Sequence, residues 1–292
     1  MHTPILAALV LALSFGMLAP AQPAAPATPA QPTPGTPTPV APPKPSMPSA
    51  PATPTPPAAT KPATPPKAIT PADIKGEPRN DDWWKKMHEQ FLTRTKQGAE
   101  KGDIGVVFLG DSITQGWGGE GKDAWARNFA RLNAVNYGIG GDRTTHVLWR
   151  VQNGELDGLA LPKAGSAPKV VVLMIGTNDA GGNIEPETIA AGIKACVAAI
   201  RAKLPQTKVL LLAVLPRSEK PDELRERCRR TNELAKDVAD GKNVIWQDDW
   251  AKFVKEDGTI DKAIMPDVLH LSPAGYDRWA GLIAPTLERL TK

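Results

Sequence analysis

The chain has 292 residues, 41% of them hydrophobic, enough for one full-sized core. Twenty of its 31 prolines lie in residues 1–70, which carry three lysines and no acid, while the rest holds 32 basic and 31 acidic groups. A nearly neutral body excludes a nucleic-acid-binding face, and two cysteines exclude a disulfide-dense scaffold or a four-thiolate zinc site.

Residues 5–19 form an apolar run followed by Ala19-Pro20-Ala21, a small-residue pattern suited to cleavage. This predicts a signal peptide over 1–21, too short for a comfortable membrane span, and an exported chain with no span once it is removed. The destination would be periplasmic, extracellular or the cell surface. No cysteine follows the run to carry a lipid anchor. Residues 22–71 are nearly all Pro, Ala and Thr, and bury too little apolar surface to offset ordering entropy. They are predicted to be a disordered linker that reaches roughly 150 Å when extended, at about 3.1 Å per residue. The folded domain is predicted over 72–292.

An opening helix is predicted over 81–100. From residue 104 onward, short β-branched runs alternate with longer amphipathic stretches. The predicted strands are 104–109, 135–137, 170–175, 208–214 and 243–246. The predicted helices are 120–131, 143–152, 186–203, 221–239 and 273–290. Pro186, Pro221 and Pro273 suit first-turn positions, and Ser272 reads as a cap. Alternating strands and helices, with strands buried on both faces, predict a parallel sheet covered on each side.

Ligands in such folds bind beyond the carboxyl ends of the strands. There the sequence places Gly110-Asp111-Ser112, Gly138 to Asp142, and Gly176-Thr177-Asn178-Asp179, with Asp267-Val268-Leu269-His270 before the last helix. Residues 71–292 hold four serines and three histidines. A serine nucleophile needs a base in reach, and the base needs an orienting carboxylate. Ser112 is the serine set just past a buried strand. His270 has a carboxylate three residues earlier, Asp267. Acyl transfer also needs donors for the oxyanion, and Gly141, Asn178 and the Ser112 N–H are the candidates.

The four blocks GDSIT (110–114), NYGIGGD (136–142), GTND (176–179) and DVLH (267–270) resemble the SGNH (GDSL-type) hydrolases. Within that family, HVLWR and NGEL (146–156), VLPR (214–217), RRTNEL (229–234) and LHLSPAGY (269–276) are similar to platelet-activating-factor acetylhydrolase catalytic subunits. The resemblance covers roughly residues 81–290. It implies an α/β fold: a flavodoxin-like three-layer α/β/α sandwich with about five parallel strands. It also implies Ser112 as nucleophile, Asp267 and His270 as acid and base, and Ser112, Gly141 and Asn178 as the oxyanion hole. No cofactor or metal is implied. The substrate would be a small ester, an acetyl phospholipid or, for an exported member, an acetylated polysaccharide. An O-acetyltransferase using the same site, and a non-catalytic carbohydrate-binding protein of the same fold, are the alternatives.

Other residues receive structural readings. Asp111 and Asp179 are expected to brace loops and Asp142 the helix that follows it, and His146 to pack or hold a fixed hydrogen bond. Trp117, Trp125 and Trp149 either line the site or, as most tryptophans do, sit in the core or at its rim. Arg217 is either a steering charge for an anionic substrate or a solvated loop charge. Cys196 and Cys228 fall in consecutive predicted helices, which leaves open a disulfide or two buried thiols.

Overall fold

The computed structural model describes residues 68–292, so the predicted signal peptide and all but the end of the predicted linker lie outside the described residues. A single turn at Pro71–Asp73 leads into α1 (Asp82–Lys101). Asp81 caps α1 by accepting from the Trp84 N–H, and Gly102 closes it in the left-handed conformation at φ +62°. Then follow β1 (Val106–Gly110), α2 (Ser112–Gln115), α3 (Lys122–Asn128), β2 (Ala134–Gly138) and α4 (Thr144–Arg150). The second half contains β3 (Val170–Met174), α5 (Thr177–Gly181), α6 (Pro186–Lys203), β4 (Lys208–Leu212), α7 (Glu223–Ala235), β5 (Val244–Gln247) and α8 (Pro273–Leu290).

The strands lie in the order β2-β1-β3-β4-β5 and every neighbouring pair is parallel. This is the doubly wound arrangement that the alternation predicts. Gly110 is in register with Gly138 on one side and Met174 on the other. The loops after β1, β2 and β3 therefore leave the sheet at one edge.

Side-chain alternation along each strand feeds two cores. Val107 and Leu109 of β1, with Val171 and Leu173 of β3, face α1, α4, α6 and α7. Val106 and Phe108, with Val172 and Met174, face α2, α3 and α8. Both faces of the central strands are thus dry, which is why they read as continuous apolar runs.

Two short helices escape the periodicity, because four or five residues hold too few turns to show it: α2 and α5. Pro221 is not a first-turn residue. The Asp222 side chain accepts from the Arg225 N–H at 2.7 Å, so α7 begins at Glu223 and the proline lies outside the cap. Pro186 and Pro273 do occupy first turns, and the Ser272 side chain accepts from the Gly275 N–H. The helix predicted to 131 stops at Asn128, where a tighter turn ends in Asn133 at φ +50°. Cys196 and Cys228 are buried free thiols, on α6 and α7 respectively.

Trp117 anchors the second core at 1% exposure. Its ring stacks on Trp279 at 5.2 Å and meets Tyr276 at 4.7 Å and Phe129 at 5.2 Å. Trp117→Ala is expected to cost about 3–5 kcal/mol, the usual range for an emptied aromatic site. Urea unfolding would read it as a lower midpoint with an unchanged slope.

Candidate active site

Ser112 opens α2 directly after β1. Asp111, fully buried, accepts from the Ile113 N–H at 3.0 Å and so caps that short helix. Tyr276 of α8 donates its hydroxyl to the Ile113 carbonyl at 2.7 Å. A Cβ on Gly116 would lie 2.0 Å from that hydroxyl, so only glycine lets α8 approach this closely. The helix after His270 is thereby tied to the helix that carries Ser112.

Ser112 Oγ lies 2.9 Å from His270 Nε2. On the other side of the ring, Nδ1 lies 2.7 Å from Asp267 Oδ2. The second Asp267 oxygen accepts from the backbone N–H groups of His270 (2.7 Å) and Leu269 (3.1 Å). These bonds to the charged form hold the Asp267 carboxyl below its usual range, against the opposing effect of partial burial. The turn that permits them is strained: Val268, a β-branched residue, sits at φ +57°. The His270 and Asp267 side chains are 44% and 56% exposed, so the site is open to solvent.

The loop after β2 holds Gly141 at φ +79°, a conformation that favours glycine, and a Cβ on its neighbour Gly140 would lie 3.7 Å from Ser112 Cβ. Gln115 Oε1 accepts from the Gly140 N–H at 3.0 Å. Asn178, at the start of α5, donates one Nδ2 hydrogen to the Asp142 carbonyl at 2.8 Å. Its second amide hydrogen is left over. The Gly141 N–H has no partner among the described residues. Ser112, Gly141, Asn178, Asp267 and His270 thus stand at one edge of the sheet, the edge that the sequence predicts. A groove of about 550 Å³ begins at Ser112, with Met87, Phe91, Gln115, Asn136 and Gly138 in its walls and no charged residue among them.

Beneath the loops lies a charged network that the sequence does not announce. Arg150 is fully buried, with its Nε 2.9 Å from Asp142 Oδ2 and an ion pair from Nη1 to Glu155. It also donates to the Tyr137 carbonyl at 3.0 Å and the Gly110 carbonyl at 3.2 Å. Asp142 Oδ1 accepts from Trp84 Nε1 at 2.7 Å, and His88 Nδ1 lies 3.2 Å from Glu155 Oε2. The available signal was the HVLWR and NGEL blocks, which contain Arg150 and Glu155.

Asp111 and Asp179 accept backbone N–H groups as expected, whereas Asp142 holds the helix that follows it through the Arg150 side chain. Asp179 accepts from Thr144 Oγ1 at 2.8 Å and from its N–H at 3.0 Å. Burial pushes Asp142 and Asp179 up to about 6 and Asp111 up to about 7. His146 accepts from the Arg143 N–H at 3.0 Å, and burial together with nearby arginines pushes it down to about 4. Arg217 is half-buried and donates to the Thr177 carbonyl at 2.7 Å and its hydroxyl at 3.1 Å, so it is not a freely solvated loop charge. Trp117 is core, Trp125 packs beside Phe108, and Trp149 packs against Trp84 and His88. Among the described residues no cluster of His, Cys, Asp or Glu fits a metal ion. No described helix is long and apolar enough to cross a membrane.

Comparison with known proteins adds to this geometry. Residues 108–278 match the model of the GDSL-like Lipase/Acylhydrolase family. The chain is 39% identical over 216 residues to platelet-activating factor acetylhydrolase IB subunit alpha1 of Bos taurus, covering 74% of this chain and 84% of that protein. It is 39% identical over 218 residues to the alpha2 subunit of Gallus gallus, covering 74% and 86%. A crystal structure of a GDSL-like lipase from Bacteroides thetaiotaomicron superposes with a TM-score of 0.57 at 22% identity, covering 69% of this chain and 97% of that one. That likeness concerns the fold. Family, relatives and fold together define a carboxylic ester hydrolase. More narrowly, the chain belongs to the GDSL-like lipase/acylhydrolase family.

Asp111 gives this site a measurable pH signature. Its folded carboxyl, at about 7, keeps a proton that the unfolded chain has already released near 3.8. Its contribution to stability is therefore full below 3.8 and is lost as pH rises through about 7. His146 has the opposite sign: its loss begins as pH falls towards 6.5 and continues through about 4, so between 6.5 and 8 it offsets only part of the Asp111 effect. The melting temperature should thus fall as pH rises from 6.5 to 8. Asp111→Asn keeps the cap to Ile113 and should flatten that slope. Calorimetry at the two pH values decides it.

Proposed function

We propose that the chain is an exported serine esterase that removes short acyl groups, acetyl foremost, from an O-acetylated carbohydrate or an acetyl phospholipid. The observation that carries the mechanism is the relay from Ser112 Oγ to His270 Nε2 at 2.9 Å and from His270 Nδ1 to Asp267 at 2.7 Å. His270 takes the Ser112 proton as the hydroxyl attacks the ester carbonyl. Asp267 orients the ring and stabilises its charged form. The N–H groups of Ser112 and Gly141 and the free amide hydrogen of Asn178 receive the oxyanion. His270 then protonates the leaving alcohol. Water, deprotonated by His270, attacks the acyl-enzyme, and Ser112 is regenerated as the acid leaves.

Several features support the substrate class. The wall of the groove beside Ser112 carries no charge, which suits an uncharged acyl or alcohol group. The similar mammalian and avian proteins are acetylhydrolases by name. Export rests on the apolar run at 5–19 and its small-residue boundary.

The test pairs purified wild-type chain with Ser112→Ala and Asn178→Ala on p-nitrophenyl acetate, butyrate and octanoate. Ser112→Ala should lose most turnover, and Asn178→Ala should lose about 10²–10³ in kcat. Unchanged rates in either variant would overturn the assignment of that residue. Acetylated xylan and an acetyl phospholipid then separate the two substrate classes. Acylated product in place of free acid, with a polysaccharide acceptor present, would make the chain a transferase. Failure to react with an active-site phosphonate would leave a binding protein.

A further inference from the structure

Arg79 precedes α1 and lies outside the residues matched by the family model. It belongs to the stretch that runs from the turn at Pro71–Asp73 into α1, and that stretch is pinned to α4 by the Glu77 N–H donating to the Thr145 carbonyl at 3.1 Å. The Arg79 guanidinium is held on three sides. Its Nε donates to Asp81 Oδ2 at 3.0 Å, and Asp81 is the cap of α1. Its Nη1 lies 3.5 Å from Asp142 Oδ1. The same Nη1 donates to the Gly140 carbonyl at 2.6 Å, a short, charge-assisted bond.

That last bond controls a direction. A peptide unit is planar, and in its trans form the C=O and the N–H point opposite ways. The described chain contains no cis peptide. The C=O of the Gly140–Gly141 unit is drawn towards Arg79. Its N–H, which belongs to Gly141, must therefore point away from Arg79. This is the N–H without a partner among the described residues. The neighbouring peptide is fixed as well, because Gln115 Oε1 holds the Gly140 N–H at 3.0 Å. Two glycines in succession would otherwise let the unit rotate freely, since neither has a Cβ to resist it. A Cβ built on Gly141 would sit 3.1 Å from Arg79 Nη1, so the guanidinium lies directly against this loop. The charge also polarises the peptide, which makes its N–H a better donor.

We propose that Arg79 is a positioning residue for the esterase reaction: it fixes the Gly140–Gly141 peptide so that the Gly141 N–H is aimed at the oxyanion. The proposal rests on the reading of Ser112 as nucleophile and Gly141 as an oxyanion donor. Arg79 does not touch the substrate. The donor it aims gains most strength as charge develops in the transition state, so its loss should appear in kcat more than in KM.

The experiment measures kcat, KM and melting temperature on p-nitrophenyl acetate for the full chain and for Arg79→Ala, Arg79→Gln, Arg79→Lys and Ser112→Ala. Removal of a whole oxyanion donor costs about 10²–10³ in kcat, so a misaimed one should cost about tenfold to a hundredfold in Arg79→Ala. KM should move much less. Arg79→Lys, which keeps a charged donor, should recover part of the loss, and Arg79→Gln should recover less. A merely structural anchor predicts another pattern: a lower melting temperature with kcat unchanged, which would overturn the proposal. So would a change confined to KM, or equal losses in the lysine and glutamine variants. If Arg79→Ala does not fold, the lysine and glutamine pair decides alone. Wild-type turnover in Ser112→Ala would sink the underlying esterase reading, and that result is distinct from any in the Arg79 series.

Discussion

The buried guanidinium of Arg150 is the interaction on which the site depends. It reaches the last carbonyl of β1, a carbonyl of β2, and the carboxylates of Asp142 and Glu155. The first of these sits two residues before Ser112, and Asp142 follows Gly141. One side chain therefore sets the spacing between the turn with Ser112 and the loop with Gly141. Burying such a charge is costly unless it is fully paired, and loss of one partner from a buried set costs about 3–5 kcal/mol. The network is thus a geometric device more than a source of stability.

The loops above it follow the same logic of satisfied backbone. Asp111, Asp142 and Asp179 each stand behind a loop and each accept hydrogen bonds from it or from a neighbouring element. Their burial raises their pKa values, so holding them ionised at neutral pH costs folding energy. The strained Val268 has the same character at the other side of the site. Its left-handed backbone lets Asp267 meet both the His270 ring and the His270 N–H. The molecule accepts local cost where Ser112, Asp267 and His270 are held in fixed positions.

Much of this was legible in the residues. Strands buried on both faces read as apolar runs, and the turns after them held the polar blocks. Few serines and histidines compete in residues 71–292, so elimination alone points to Ser112 and His270. What stayed hidden has physical reasons. Helices α2 and α5 are too short to carry periodicity. Arg150 ends an apolar helical stretch and Glu155 follows a polar turn, and only three-dimensional burial reveals them as paired. Arg79 is an ordinary residue in a polar stretch, brought to Gly140 across 61 positions of sequence. Pro221 looked like a first-turn proline because the stronger cap at Asp222 is one residue further on.

The two thiols carry a consequence of their own. Cys196 and Cys228 sit in the layer between the sheet and helices α6 and α7, and burial raises both thiols, Cys228 to about 11 and Cys196 further. Neither presents a thiolate to solvent while the layer is closed. A colorimetric thiol reagent added to the native protein would therefore find nothing to modify until the helices lift. The colour it develops becomes an internal clock for opening of that layer, with no label to attach and no residue to replace.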